Sequence, residues 1–267
     1  MARAKRPVFV PLEGFPFVRE ILIEFEWFPG FAVSQAQKSI ASLHRRAAQY
    51  GITPVLEISS KSKDRLGVSL SAFNLRLSIE RGKKISVESA FQGSKVFEEG
   101  GPYTDLYYAP SRAAKTDPRI KNSGNIVAFR YFGREFPTEP KEAFYNWLYI
   151  TALYQNQELS LRLLEYKGFT DIAFNPEKSV NCQARAAALF VAFYNSGVIK
   201  EVVGDQDVYL AYIKDTRKAS YPPSPQLGFK FDIDNSETPH KVTTYGSPKL
   251  GARSERAPRR RRSSKKR

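Results

Sequence analysis

The sequence predicts one large mixed helix-and-strand domain over residues 1–213, followed by a basic arm over residues 214–267. Three observations lead there. Segments with apolar residues at helical spacing alternate with short extended ones, no repeat with a period of about 20–50 residues is visible, and the texture changes after Lys214. With 42% hydrophobic and 13% aromatic residues, the first part of the chain can bury a proper core, and its length suits one domain better than two.

The elements follow in order. Ile21 to Phe28 reads as a strand ending at Pro29-Gly30. Ser34 caps a helix through Tyr50, with Ala36, Ile40, Leu43 and Ala47 on one side and Gly51 as its stop. Val55–Ser60 and Gly67–Ile79 read as extended, and Arg81–Lys84 as a turn. Ser86 caps a helix running to Glu98, stopped by Gly100-Gly101-Pro102. Pro110–Lys121 predicts a short helix and Gly124–Tyr131 a strand. A long helical region spans Pro140–Tyr166, with proline where the first turn tolerates it and Gly168 beyond its end. Ser179 caps a further helix through Asn195, ended by Gly197, and Asp207–Ile213 closes the domain as a strand.

Charge is concentrated at one end. The formal net charge is +15, and residues 241–267 hold eleven Lys or Arg against the single Glu255, a net of +10 that leaves +5 for the other 240 residues. Nine of the last fifteen residues are Lys or Arg. A disordered arm of that density neutralises several phosphates at once and binds nucleic acid with steep salt dependence. It equally fits a solubilising tail.

One cysteine, Cys182, excludes an intrachain disulfide framework, and with only His44 and His240 beside it there are too few soft ligands for a structural zinc site. No metal or cofactor is expected. No stretch approaches the roughly 20 apolar residues needed to cross a bilayer, and the start of the chain lacks a signal-peptide apolar block, so a soluble cytoplasmic protein is expected. His44 lies in a Leu-His-Arg-Arg run that reads as a solvated helix face, which leaves acid and base work to carboxylates and lysines.

The informative segment is Ser86–Phe97. Glu88, Gln92 and Lys95 are spaced by four and then three residues, so at about 100° per residue they project from one helix face. Val87, Ala90, Phe91, Val96 and Phe97 take most of the remaining circumference, which predicts burial and turns the polar stripe toward an internal cleft. Burial raises the Glu88 pKa and lowers that of Lys95, while their attraction keeps both charged. The same spacing also fits an ordinary surface stripe.

Glu88-Ser-Ala-Phe91-Gln92-Gly-Ser-Lys95 resembles the Glu-His-x-Phe-Gln-x-x-Lys helix of the NADAR superfamily, also called the YbiA-like proteins. Leu70-Ser71-Ala72-Phe73-Asn74-Leu75 looks like that family's Ser-Asn-Phe loop, and Trp147 lies where the family carries a tryptophan opening a long helix. Glu57-Ile-Ser-Ser-Lys-Ser62, Gly100-Gly-Pro-Tyr-Thr-Asp-Leu-Tyr107, Phe169-Thr-Asp-Ile-Ala-Phe-Asn-Pro176 and Asn181-Cys-Gln-Ala184 are similar to the NADAR antitoxins encoded beside DarT-type DNA ADP-ribosyltransferase toxins. Together they cover roughly residues 7 to 213. Two departures stand out: Ala72 replaces the family's asparagine, with Asn74 as the neighbouring substitute, and Asp171 is the nearest acid to one that the family carries before a Trp-Gly pair absent here.

The resemblance implies an α+β, largely helical fold and removal of ADP-ribose from guanine bases in DNA by N-glycosidic cleavage, without a metal or cofactor. It implies ADP-ribosylated DNA as substrate, ADP-ribose as product and a DarT-type toxin as partner. On that reading Glu88 activates water or steadies the oxocarbenium-like centre, and Gln92 holds a ribose hydroxyl. Lys95 first, and Lys61 second, attacks the sugar as an amine or pairs with a phosphate. Asp171 is a further catalytic acid. Ser71, Asn74, Tyr103, Trp147, Asn181 and Gln183 are substrate-binding candidates: Trp147 stacks on a base or fills core, Tyr103 approaches a pyrophosphate or marks a helix stop, and Asn181 and Gln183 bind ligand or complete a cap. Two other readings compete, an N-glycosidase on small metabolites such as riboflavin-pathway intermediates and a non-catalytic ADP-ribose-binding or toxin-neutralising module. A small-molecule enzyme has little use for the basic arm.

Overall fold

In the computed structural model, residues 2–177 and 179–214 are described, and the basic arm from residue 215 lies outside them. The fold is mixed α+β, as expected. It begins with a hairpin of β1 (Ala2–Pro11) and β2 (Val18–Trp27), paired antiparallel from Ala2↔Trp27 to Pro11↔Val18. Sequence reading finds the second strand but not the first, because Pro7 and Pro11 cannot donate to a ladder. They are tolerated because the other neighbour of β1, strand β9 (Gly168–Thr170), meets it only at Phe9. Strand β3 (Val55–Glu57) runs parallel to β9, completing a sheet of order β2-β1-β9-β3.

Successive side chains point to opposite sheet faces, and each face has its own core. On one, helix α1 (Val33–Gln49) lays Ile40, Leu43 and Ala47 against Val8, Ile23 and Phe25. Its N-cap is Ala32, without a side-chain cap bond, and not Ser34. On the other, Phe9, Leu56 and Phe169 join the main core. Gly168, expected as a helix stop, instead opens β9, where a Cβ would stand 2.7 Å from Ile52 Cγ2 and 3.0 Å from Val8 Cγ1.

The 67–79 segment departs from its extended reading. Asp64 accepts a 2.8 Å bond from the Leu66 amide and starts helix α2 (Arg65–Ser69), leaving only β4 (Arg76–Ser78) extended, paired with β5 (Lys84–Ser86). Local capping outweighed the strand-like composition. Ser86 does cap helix α3 (Val87–Gly93), accepting from the Ser89 amide at 3.0 Å. That helix stops at Gly93 rather than Glu98, because Lys95–Phe97 leaves as β6 to pair with β7 (Ile126–Tyr131), itself paired with β8 (Arg134–Phe136). Tertiary pairing wins over helical spacing there.

Helices α4 (Ser111–Thr116) and α5 (Pro118–Asn122) divide at Asp117, which caps the second. The long region predicted from Pro140 divides into α6 (Ala143–Gln155) and α7 (Gln157–Leu163) at Asn156, whose amide donates to Arg76 O at 2.8 Å and Ala152 O at 2.6 Å. Helix α8 (Gln183–Asn195) begins after Cys182 rather than at Ser179. Helix α9 (Ile199–Gly204) follows, and Asp207–Ile213, expected as a strand, lies within helix α10 (Gln206–Lys214). Asp205 accepts from the Asp207 and Val208 amides at 2.8 and 3.1 Å, while Tyr209 and Tyr212, three apart, turn inward.

Helix α6, buried from Ala143 through Leu153, forms the centre of the main core, with the alanine-rich face of α8 close against it. Tyr149 reaches from α6 to donate a 2.7 Å bond to Leu70 O, at the entrance of the Ser71 loop. Tyr149→Phe strands that buried carbonyl and is expected to lower unfolding free energy by about 1–3 kcal/mol in urea titration, with secondary structure unchanged.

Candidate active site

Between α3, the Ser71 loop, the ends of β3 and β9 and the start of α8 lies a cleft of about 370 Å³. Of the residues singled out from sequence, Lys61, Ser71, Glu88, Gln92, Asp171, Asn181 and Gln183 line it. Asn74, Lys95, Tyr103 and Trp147 do not.

The α3 wall is a polar relay along one helix face. Glu88, 5% exposed, accepts a 2.9 Å bond at Oε1 from Gln92 Nε2, and Gln92 Oε1 accepts a 2.7 Å bond from Lys95 Nζ. Lys115 of α4 brings its Nζ within 3.7 Å of the same Glu88 oxygen. That ion pair is half exposed on the lysine side and contributes little stability, but it sets a positive charge beside the carboxylate. Glu88 N donates to Ala72 O at 2.9 Å, locking the start of α3 to the Ser71 loop. Ser71 Oγ and Asn74 Nδ2 both donate to Val68 O at 2.9 Å, so Asn74 shapes the loop from its outer side.

Lys95 lies behind Gln92, with its ammonium 4.8 Å from the centre of the Phe91 ring. Burial, aided by the neighbouring Lys115 charge and opposed by Glu88, lowers its pKa to about 8. Trp147 is 3% exposed and packs on Phe136 at 4.9 Å within the core, away from the cleft. The aromatic surface of the cleft comes instead from Phe73, Phe91, Tyr145 and Phe174. Tyr103 bonds Ser123 through its hydroxyl and lies under the Arg119 guanidinium at 4.6 Å.

The opposite wall is held by Gln183 and two buried carboxyls. Gln183 Oε1 accepts from Ala72 N at 2.8 Å, while its Nε2 donates to Ile58 O at 2.7 Å and to Asp171 Oδ2 at 3.0 Å. Burial pushes the Asp171 carboxyl above the usual range, against its bonds from Ala173, Gln183 and Phe174 and the charge of Lys61. Behind it, Glu57 is 2% exposed and is raised further by burial and by the Asp171 charge. Glu57 accepts from Ser59 Oγ and Thr170 Oγ1, each at 2.7 Å, and from Ile172 N at 2.9 Å. His44 is not on a solvated face: its Nε2 lies 2.9 Å from Thr170 Oγ1, and burial lowers its pKa to about 4.

Sequence reading missed Lys115 and Tyr145, neither of which lies in a recognisable spacing, and missed the network behind Glu57 although its segment was noted. Among the described residues no group of three or more His, Cys, Asp or Glu is arranged to hold a metal, and no helix is long and apolar enough to cross a membrane.

A family model described as DarT1-associated NADAR antitoxin matches residues 4–222. The chain belongs to that family. Comparison with curated proteins returns no match. The NADAR antitoxins of this group are associated with DarT1, so a DarT-type toxin is the counterpart of this antitoxin. The match spans every wall of the cleft, from Ser59 through Gln183.

The depressed Lys95 pKa has a defined consequence. Between about pH 8 and the ordinary lysine range the unfolded chain holds a proton that the folded antitoxin lacks, so this group makes stability rise with pH across that window. Urea unfolding at pH 7.5 and pH 10 is expected to show that rise in the wild type and a smaller one in Lys95→Met.

Proposed function

We propose that this NADAR antitoxin hydrolyses the N-glycosidic bond between ADP-ribose and guanine bases of DNA, undoing the modification made by its cognate toxin in the cytoplasm. The observation that carries the reading is the pair of carboxyls, Glu88 and Asp171, on different walls of a cleft that also presents the Lys61 and Lys115 amines. A volume of about 370 Å³ suits a nucleotide-sized ligand. Its mixed charge suits a diphosphate attached to a sugar that becomes cationic as the bond breaks.

Glu88 steadies the developing positive charge at the anomeric carbon, with Gln92 and Lys115 fixing one carboxylate oxygen. Asp171, whose proton affinity burial has raised toward the working pH, accepts the proton of the attacking water. The new C–O bond forms as the C–N bond breaks, and the guanine nitrogen keeps the electron pair and takes a proton. Lys61 and Lys115 pair with phosphate oxygens, and the Phe73 and Tyr145 rings flank the ligand. The basic arm of residues 214–267 tethers the catalytic domain to the DNA backbone.

Incubating the antitoxin with an oligonucleotide carrying ADP-ribosylated guanine is expected to yield unmodified guanine and free ADP-ribose by mass spectrometry. Glu88→Gln should keep ADP-ribose binding and lose turnover by about 10²–10⁴-fold. No product from folded wild-type protein overturns the reading. Borohydride present during turnover is expected to leave no protein–sugar adduct; a trapped adduct at Lys61 reassigns that lysine as a nucleophile. Deleting residues 241–267 should flatten the salt dependence of oligonucleotide binding, measured by anisotropy between 50 and 200 mM salt.

A further inference from the structure

Glu57 is a buried titratable group that does not itself line the cleft. Among the described residues its hydrogen-bonded route there is Ser59, which lines the cleft and lies 2.7 Å from Glu57 Oε1 through its hydroxyl oxygen. The other carboxyl oxygen is engaged by Thr170 Oγ1 at 2.7 Å, and that hydroxyl lies 2.9 Å from His44 Nε2 beneath α1. The titratable and charged groups facing Glu57 are Asp171 after β9, neutral His44 on α1 and the Cys182 thiol before α8, and none is a cation. Lys61 faces Asp171 instead. A carboxyl so enclosed holds its proton into neutral pH, and the way to pass it toward the cleft is the Ser59 hydroxyl.

We propose that Glu57 supplies the proton taken up by the departing guanine, acting through Ser59 as its relay. The inference rests on the hydrolase reading above. As the C–N bond breaks, the Ser59 hydroxyl hydrogen moves to the guanine nitrogen that keeps the bonding pair. The Glu57 proton moves to Ser59 Oγ in the same step, leaving Glu57 as a carboxylate. Asp171 meanwhile holds the proton of the attacking water, so two carboxyls with different access divide the acid and base work. Glu57 is thus a positioning residue that acts only through Ser59, which fits surroundings in which burial and the Asp171 charge outweigh its bonds from Ile172, Ser59 and Thr170.

The assignment makes leaving-group chemistry the test, because a departing group that is stable as an anion needs no proton. Two substrates are compared at pH 7, an oligonucleotide carrying ADP-ribosylated guanine and an ADP-ribose derivative linked to p-nitrophenolate. In Glu57→Gln, which keeps the shape but cannot deliver a proton, kcat on the guanine substrate is expected to fall by about 10²-fold or more with little change in KM. The p-nitrophenolate rate should stay within about threefold of wild type. Ser59→Ala is the smaller second variant, with the same selective loss, and Ser59→Thr restores the hydroxyl and the guanine rate. The fall of the guanine rate with rising pH in the wild type should disappear in Glu57→Gln. Equal losses on both substrates, or an unchanged guanine rate, overturn the relay while leaving the hydrolase reading standing. A wild type inactive on both substrates removes both.

Discussion

The side-chain amide of Gln183 is the tie on which the cleft depends. From the first turn of α8 it accepts from the Ala72 amide and donates to Ile58 O and Asp171 Oδ2. Three segments far apart in sequence, the end of β3, the Ser71 loop and the turn after β9, are thereby held around one group. Each bond satisfies a polar atom whose burial without a partner costs about 1–3 kcal/mol. An amide suits this place because it presents a donor and an acceptor in a fixed plane; a carboxylate there would repel Asp171, and an apolar residue would strand all three partners. The Ala72 link also passes on to α3, because Ala72 O takes the Glu88 amide. Opposing walls of the cleft are thus registered through one residue of the loop.

That geometry explains why the departure Ala72, in a loop whose family pattern carries asparagine, is accommodated. The structure uses the backbone of position 72, donor and acceptor both, and leaves its side chain buried at 2% exposure. Asn74 sits outside and bonds Val68 O. Loop shape is carried by Ser71, Asn74 and Tyr149 acting on the Val68 and Leu70 carbonyls, so these residues work as scaffolding for Glu88.

What could be read from sequence was what depends on local order. Ser86 as a cap and Glu88 and Gln92 on one face follow from helix geometry over four residues, and both are present. Lys95 fell on the right side for a different reason: it is one residue into a strand, and its long side chain turns back to Gln92. Trp147 opened the expected helix yet serves the core, since a helix buried around its full circumference offers no cue as to which face meets a ligand. Lys115, Tyr145 and the Glu57–Thr170–His44 chain arise from sheet pairing and helix docking between segments up to 126 residues apart, which no local pattern encodes. The strand β1 and the helix α10 were misread because prolines and alternation are judged against an average strand, while a second neighbour that meets β1 only at Phe9 and an Asp205 cap decide the outcome here.

Burial sorts the ionisable groups of this antitoxin by task. Lys95, enclosed between Phe91 and Gln92, has its pKa lowered by burial and braces the α3 stripe, whereas Lys61 and Lys115 line the cleft itself. The carboxyls sort in the same way. Glu88 has a lysine within 3.7 Å, Asp171 has hydrogen bonds and the Lys61 charge working against its burial, and Glu57 has hydroxyls, one amide and a neighbouring negative charge. From Asp171 to Glu57 cationic support falls away, and burial raises both carboxyls. The cleft and the layer behind it thus hold three carboxyls in three different electrostatic settings. That difference follows from where β3 and β9 end beneath α1, so the sheet, more than any single motif, sets the surroundings of each carboxyl.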